Sequence, residues 1–402
     1  MRLGFGLDFP ADQRVRGRLR SALVDRSEGV GFGQREVLLN LVAARAGLVH
    51  AEHNDLVHVV APRATHTGPA ELQLDRYTNL VLDAQFDRGA DGLLYDYELV
   101  YFPYTTEDGS PEGLKLPQPD AVVGAPITDL GDDPEVYRWT FMLQNNEHLD
   151  DHGPAVRLAQ TFSLPDAAFF AAVEDVIDVD QWLRAFALAS LAGAVDNYGG
   201  DGAWHNARFY ARPSDGRLLY FPHDLDFFGW SEMPVVGNSD LARLLSEPVY
   251  ARAYYGHLAD LLDRAYTPAH LDPWCDQLAR LLPAQDFAGH CAFIDARAEW
   301  VARGAADSVE AAFPRVDFRI TMGGGGEIDA DGGRVDLEGL AWVDVRTIER
   351  DGEPLPLSWV DARTWSLSVT VGDGLTPVTL IARDLRGAEV GRDTVTVRVE
   401  EE

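Results

Sequence analysis

Between Ala194 and Trp230 the chain carries a carboxylate, Asp196, then an amide, Asn206, then two more carboxylates, Asp224 and Asp226. Two apolar runs, Ala207 to Tyr210 and Leu218 to Pro222, flank the hairpin signal Asp215-Gly216, and the second run delivers Asp224 and Asp226 side by side. Phosphoryl transfer from ATP asks for this set of groups. One carboxylate orients and deprotonates the attacking hydroxyl, while an amide oxygen and further carboxylates hold Mg2+ against the phosphates. Other readings stay open at this point: an Asp-x-Asp in a loop also serves as a solvated turn or cap, and a His-Asn pair before a strand as a turn.

A rigid element must aim such a loop. Asp178, with Gln181 three residues on, predicts a capped helix with an apolar face of Trp182, Leu183, Phe186, Leu188 and Leu191. It ends at Gly193, just before Asp196, and its Trp182 and Phe186 read as core rather than as ligand-stacking residues. After Asp226 comes the block Phe227-Phe228-Gly229-Trp230.

This run resembles the signature of the CotH spore-coat kinase family, atypical secreted or surface-associated protein kinases in which an Asp-bearing loop ending in Asn precedes a P-W-D-x-D strand end. The resemblance implies Asp196 as catalytic base, Asn206 and Asp224 as ligands of Mg2+ or Mn2+ with Asp226 assisting, and ATP as substrate. It departs from the family at His223, where Trp is usual, and at Asn197, where a basic residue often follows the base. Upstream, Gly92 to Pro103 is similar to the family's G-x-Y…E strand, which puts Glu98 at its Glu. Gly113-Leu114-Lys115 is a partial match to the L-Y-K whose lysine approaches the nucleotide phosphates. Lys115 could brace the transferred phosphate and Glu98 could pair with it or line the pocket; a surface lysine and a solvated glutamate are the plain alternatives.

Net charge is −31 over 402 residues, which argues against nucleic acid or an anionic membrane as partner and fits a basic protein substrate or a salty milieu. Lys115 is the one lysine, so arginine supplies nearly all 34 basic residues. Cys275 and Cys291 could form a disulfide or remain buried thiols, and no zinc pattern exists. No apolar run reaches the roughly 18 residues that a membrane span needs. No signal peptide follows Met1, and the alternating run Leu3, Phe5, Leu7, Phe9 suggests an excised piece of a longer, exported protein.

In chain order, residues 2–9 read as a strand and 27–48 as a turn (Gly33, Gln34) and helix. Residues 53–60 and 71–84 read as strands, 92–103 as another, 104–135 as a long loop that could act as a lid, and 138–143 as the start of a helix. Helices are predicted at 166–176, from Asn238, and over 247–266, 268–282 and 287–313, with His257 and His290 as core or surface histidines. From Pro314 short alternating strands recur at 316–320, 334–337, 342–348, 365–371, 378–383 and 394–399, a spacing typical of an immunoglobulin-like sandwich.

The expected fold is α+β, an atypical kinase-like two-lobed fold over residues 1–313 (small lobe about 1–145, helical large lobe about 146–313) followed by an all-β immunoglobulin-like sandwich over 314–402. The expected function is transfer of the ATP γ-phosphate to Ser or Thr of a secreted, coat or surface protein of a bacterium. A catalytically inactive kinase-like binding or architectural protein is the first alternative, and a metal-dependent hydrolase the second.

Overall fold

The computed structural model describes residues 5–10, 12–14, 21–25, 36–47, 54–73, 79–102, 105–110, 113, 116, 121–225, 229–330 and 333–399. Gly33, Gln34, Lys115, Asp226, Phe227 and Phe228 lie outside them. The chain divides into two compact units, residues 1–241 with 265–297, and residues 242–264 with 298–402. The change of texture at Pro314 falls inside the second.

The first unit begins with β1 (Phe5–Asp8), β2 (Ser21–Asp25), α1 (Glu36–Ala46), β3 (Asn54–Val59) and β4 (Gly68–Gln73). The four strands form an antiparallel sheet in the order β1-β2-β4-β3. There follow α2 (Asn79–Gln85), β5 (Leu93–Tyr97), β6 (Val100–Phe102), β7 (Ala121–Val123) and β8 (Phe141–Leu143). Two sequence expectations are corrected here. Residues 79–85 are helix, not strand, with Val81 and Leu82 buried and Leu80 exposed. Residues 141–143 are strand, not helix, because β8 pairs with β5 and Gln144 N–H continues the ladder to Leu94 O at 2.9 Å. The run 92–103 also splits: β5 and β6 join different sheets, and Glu98 sits at the break.

Next come α3 (Gly153–Phe162), α4 (Asp166–Val176), α5 (Val179–Ala192), the short α6 (Tyr198–Asp201), β9 (Ala207–Ala211), β10 (Leu218–Pro222) and α7 (Ser239–Leu244). The hairpin forms where Asp215-Gly216 places it, with Gly216 at φ 72°. The sheet order is β10-β9-β5-β8. Strand alternation turns Tyr95, Tyr97, Phe209 and Tyr220 to one face, where Phe209 and Tyr220 meet Trp182 of α5. Trp182 is fully buried, stacks on Phe209 at 5.2 Å, and donates its indole N–H to Leu218 O at 2.8 Å. Asp178 caps α5 by accepting from Gln181 N–H. Gln181 does not close a capping box, however. Its amide is taken by β10, exchanging both bonds with the Tyr220 backbone at 2.7 and 2.9 Å.

α8 (Pro248–Arg264) belongs to the second unit, whereas α9 (Pro268–Leu281) and most of α10 (Phe287–Glu299) belong to the first. A disulfide joins Cys275 of α9 to Cys291 of α10, which resolves the cysteine question left open by sequence. The predicted helix 287–313 is broken by a π-helical turn at Trp300–Gly304, after which α11 (Val309–Ala312) starts. His257 and His290 are both buried.

The strands of the second unit are β11 (Arg319–Ile320), β12 (Glu327–Ala330), β13 (Arg334–Leu340), β14 (Thr347–Arg350), β15 (Glu353–Pro354), β16 (Ser358–Trp359), β17 (Thr364–Thr370), β18 (Gly374–Arg383) and β19 (Glu389–Val399). They form sheets β11-β13-β17-β16 and β12-β19-β18-β14-β15, whose inward residues make one core that includes Leu337, Ile348, Trp365, Leu380 and Val397. Arg252 of α8 is buried here. Its guanidinium donates to the carbonyls of Ala341, Trp342, Val345 and Ala362 and lies 3.4 Å above the Trp359 ring. Burial pushes its pKa down to about 9.

Two outcomes follow from this packing. Trp182→Ala removes a stacked, fully buried core indole and its hydrogen bond, so it should cost about 3–5 kcal/mol, read as a lower urea midpoint, while Trp230→Ala at an exposed position should cost under about 0.5 kcal/mol. Thiol titration of the unfolded chain should find none before reduction and 2 after it.

Candidate active site

The rigid part of the site is α5, whose residues are buried over nearly its whole length. It stops at Gly193, which adopts φ 62°, a conformation that costs a residue without Cβ little. Arg297 secures that end. Its buried guanidinium donates to Ser190 O at 2.8 and 3.1 Å and to the carbonyls of Ser231 and Pro234 at 3.0 and 3.1 Å. A cation at a helix C-terminus meets the negative end of the helix dipole, so this contact favours a fixed exit for the chain.

Beyond the cap, Asp196, Asn206 and Asp224 all adopt left-handed backbone, at φ 60°, 56° and 53°. Asp and Asn tolerate this region better than other residues with a Cβ, yet it remains costly and needs surrounding structure to impose it. Asn197 supplies that structure. Fully buried, it donates from Nδ2 to Asn206 O at 2.8 Å and to His223 O at 2.6 Å, and accepts from Gly199 N–H at 2.9 Å. Asn206 Nδ2 donates in turn to Asp196 O at 2.7 Å. One carboxamide thus ties the loop, the start of β9 and the end of β10, and a second closes the ring. Asp201 holds the loop from below, accepting from Asp196 N–H at 3.0 Å and Asn197 N–H at 3.3 Å.

The side chains around this ring are charged. His205 Nε2 stands 2.9 Å from Asp196 Oδ1, with the imidazole buried and the aspartate largely exposed. Arg208 of β9 pairs with Asp96 of β5, its cross-strand neighbour, and reaches His223 Nε2 at 3.1 Å. Burial raises the pKa of Glu98, and nearby Asp96 adds to the rise, while His223, His205 and Arg208 oppose it. Glu98 therefore lies in the same electrostatic neighbourhood as the ring. Glu36, buried in the first turn of α1, accepts from Leu225 N–H at 3.2 Å, directly after Asp224.

Of the residues singled out by sequence, Asn206 is hydrogen-bonded to Asp196 O, Asp224 directly follows His223, whose carbonyl Asn197 holds, and Glu98 interacts electrostatically with His223 and His205. Lys115 and Asp226 lie outside the described residues. Sequence reasoning missed Asn197, His205, Arg208, Asp96 and Glu36 as parts of the site. Asn197 entered only as a departure from a pattern, and the His205-Asn206 pair only as a turn signal; a buried helix-start acid such as Glu36 carries no sequence mark.

The donor set suits a hard cation. Because Asn206 Nδ2 is engaged by Asp196 O, the remaining group of that amide is its oxygen, and Asp224 adds carboxylate oxygens; oxygen ligands of this kind match Mg2+ or Mn2+ rather than zinc. Among the described residues no group of three or more His, Cys, Asp or Glu stands close enough together to hold a metal ion.

The raised pKa of Glu98 has a sign that can be checked. The folded chain holds this proton more tightly than the unfolded chain, so stability falls as pH rises from the ordinary carboxylate range through the folded value. Glu98→Gln should therefore raise the thermal midpoint at about pH 7, and the gain should vanish as the pH drops to about 4. A gain of constant size across that range would rule out the burial account.

No curated protein matches the chain. Among solved structures, the fibronectin(III)-like modules of Clostridium thermocellum CbhA are similar at 18% identity over 21% of this chain and 95% of theirs, with a TM-score of 0.17. No described helix is long and apolar enough to cross a membrane. Residues 144–285, which include α5, the Asn197 ring and the β9-β10 hairpin, match the family model described as CotH kinase protein, and the chain therefore carries a CotH kinase-like domain.

Proposed function

We propose that this protein is an atypical protein kinase that moves the γ-phosphate of ATP to a Ser or Thr hydroxyl of a secreted, coat or surface protein. The observation that carries the reading is the ring itself. Asp196, Asn206 and Asp224 adopt left-handed backbone around the amides of Asn197 and Asn206, which bond the carbonyls of Asn206, His223 and Asp196, within the segment that matches the kinase family. Three left-handed polar residues gathered on one loop-and-hairpin segment fit a place where geometry is needed for chemistry, although Arg88, Asn146, Asp150 and Asp351 adopt the same backbone elsewhere.

In this reading Asp196 accepts the proton of the acceptor hydroxyl as its oxygen attacks the γ-phosphorus, and ADP departs with the electron pair of the broken bond. Asn206 Oδ1 and the carboxylates of Asp224 and Asp226 hold Mg2+ or Mn2+, which when bound neutralises phosphate charge. Lys115 braces the transferred phosphate. Glu98 stands in the electrostatic neighbourhood of His223 and His205, with burial raising its proton affinity. A net charge of −31 suits a basic acceptor protein. The disulfide between Cys275 and Cys291 agrees with an oxidising, extracytoplasmic setting. The C-terminal sandwich, read as an immunoglobulin-like module, would then serve as a spacer or adhesive unit.

The test is label transfer from γ-labelled ATP with Mg2+ to the chain itself and to a basic acceptor protein. Wild type should transfer label, and Asp224→Ala should reduce the rate by at least about 100-fold with little change in thermal midpoint. Binding of Mg2+ and ATP without transfer would select the inactive binding protein instead, and phosphate release without a labelled acceptor would select a hydrolase.

A further inference from the structure

We infer that His205 is a positioning residue for Asp196, fixing the carboxylate by a hydrogen bond from Nε2 and leaving its second oxygen to face the acceptor hydroxyl; the inference rests on the kinase reading of this site. The contact is 2.9 Å, from an imidazole that is 9% exposed to a carboxylate that is 61% exposed. Such a pairing is unequal. The histidine is held by its surroundings, whereas an exposed aspartate would otherwise sample its rotamers freely.

Three further observations fix the direction of the bond. His205 O accepts Tyr198 N–H at 3.0 Å, so its backbone is pinned to α6, and Asn206 next to it is pinned to Asp196 O. His205 Nδ1 is buried and has no hydrogen-bond partner among the described residues. A proton there would be an unsatisfied buried donor, so the neutral tautomer with hydrogen on Nε2 is favoured, and that hydrogen points at Asp196 Oδ1. Thirdly, the Glu98 carboxyl interacts electrostatically with this imidazole.

With Oδ1 occupied, Oδ2 of Asp196 is the oxygen presented to solvent. A general base needs its lone pair aimed at the proton it takes, and a misplaced one loses rate without weakening nucleotide binding. His205 makes no proton transfer of its own in this scheme.

Two readouts test the inference. In label-transfer kinetics His205→Ala should lower kcat by about 10- to 100-fold while KM for ATP stays within about twofold, and His205→Gln, which retains an N–H donor, should recover most of the loss. A kcat for His205→Ala within about twofold of wild type, or a His205→Gln variant as impaired as His205→Ala, overturns it. Independently of turnover, nitrogen NMR of the histidine-labelled full chain should show His205 as the Nε2–H tautomer, with its Nε2 signal moved by Asp196→Asn. An Nδ1–H tautomer, or a signal indifferent to Asp196→Asn, also overturns it. Should wild type transfer no label at all, the kinase reading fails, and the NMR arm still decides whether His205 holds Asp196.

Discussion

The site depends on one buried carboxamide. Asn197 makes three hydrogen bonds to backbone groups of three separate segments, and no other side-chain type of its size offers both donors and an acceptor in that arrangement. A carboxylate there would lose both donor bonds and bury a charge beside Asp196. A basic residue would supply charge but no acceptor for Gly199 N–H. Its full burial means that each bond is made away from competing water, where leaving a partner unsatisfied costs about 1–3 kcal/mol.

That bond network explains why the unfavourable backbone is tolerated. Left-handed conformations at Asp196, Asn206 and Asp224 would relax if the loop were free. Behind them stand the aromatic face around Trp182, the cap at Gly193 and the Arg297 clamp, so that strain at the surface is opposed by packing underneath. The same sheet that buries Tyr95, Tyr97, Phe209 and Tyr220 on one face carries Asp96 and Arg208 on the other, which is how a single strand register supplies both core and charge. The second unit shows a related solution: Arg252 is surrounded by the carbonyls of Ala341, Trp342, Val345 and Ala362, and it joins α8 to the sandwich strands.

Much of this was legible where the signal is local. Asp215-Gly216 specifies its hairpin by turn chemistry, Gly193 ends its helix, and the period-two runs at 334–337, 365–371 and 378–383 fall on β13, β17 and β18, whereas most of 342–348 is a turn before β14 and β12, β15 and β16 carried no such run. Legibility failed where long-range pairing decides. Three residues at 141–143 are too few to show a period and are strand only because β5 lies beside them. Leu80 and Leu82 alternate like a strand, but Leu80 is exposed and the segment coils so that Val81 and Leu82 face inward. Gln181 satisfies a capping pattern in sequence while its amide is claimed by Tyr220 from 39 residues away. The candidate ligands were visible from order and spacing; the groups that hold them, Asn197 and His205 above all, were not, because what marks them is burial and partner geometry.

The central claim is that Asn206 and Asp224 converge on one metal-bound triphosphate beside Asp196. Crystals soaked with ATP and MnCl2 and measured for anomalous scattering test this most directly. The account predicts a manganese peak bonded to Asn206 Oδ1 and an Asp224 oxygen, with the γ-phosphate facing Asp196. A peak bonded to neither residue, or nucleotide density in another part of the molecule, would contradict it.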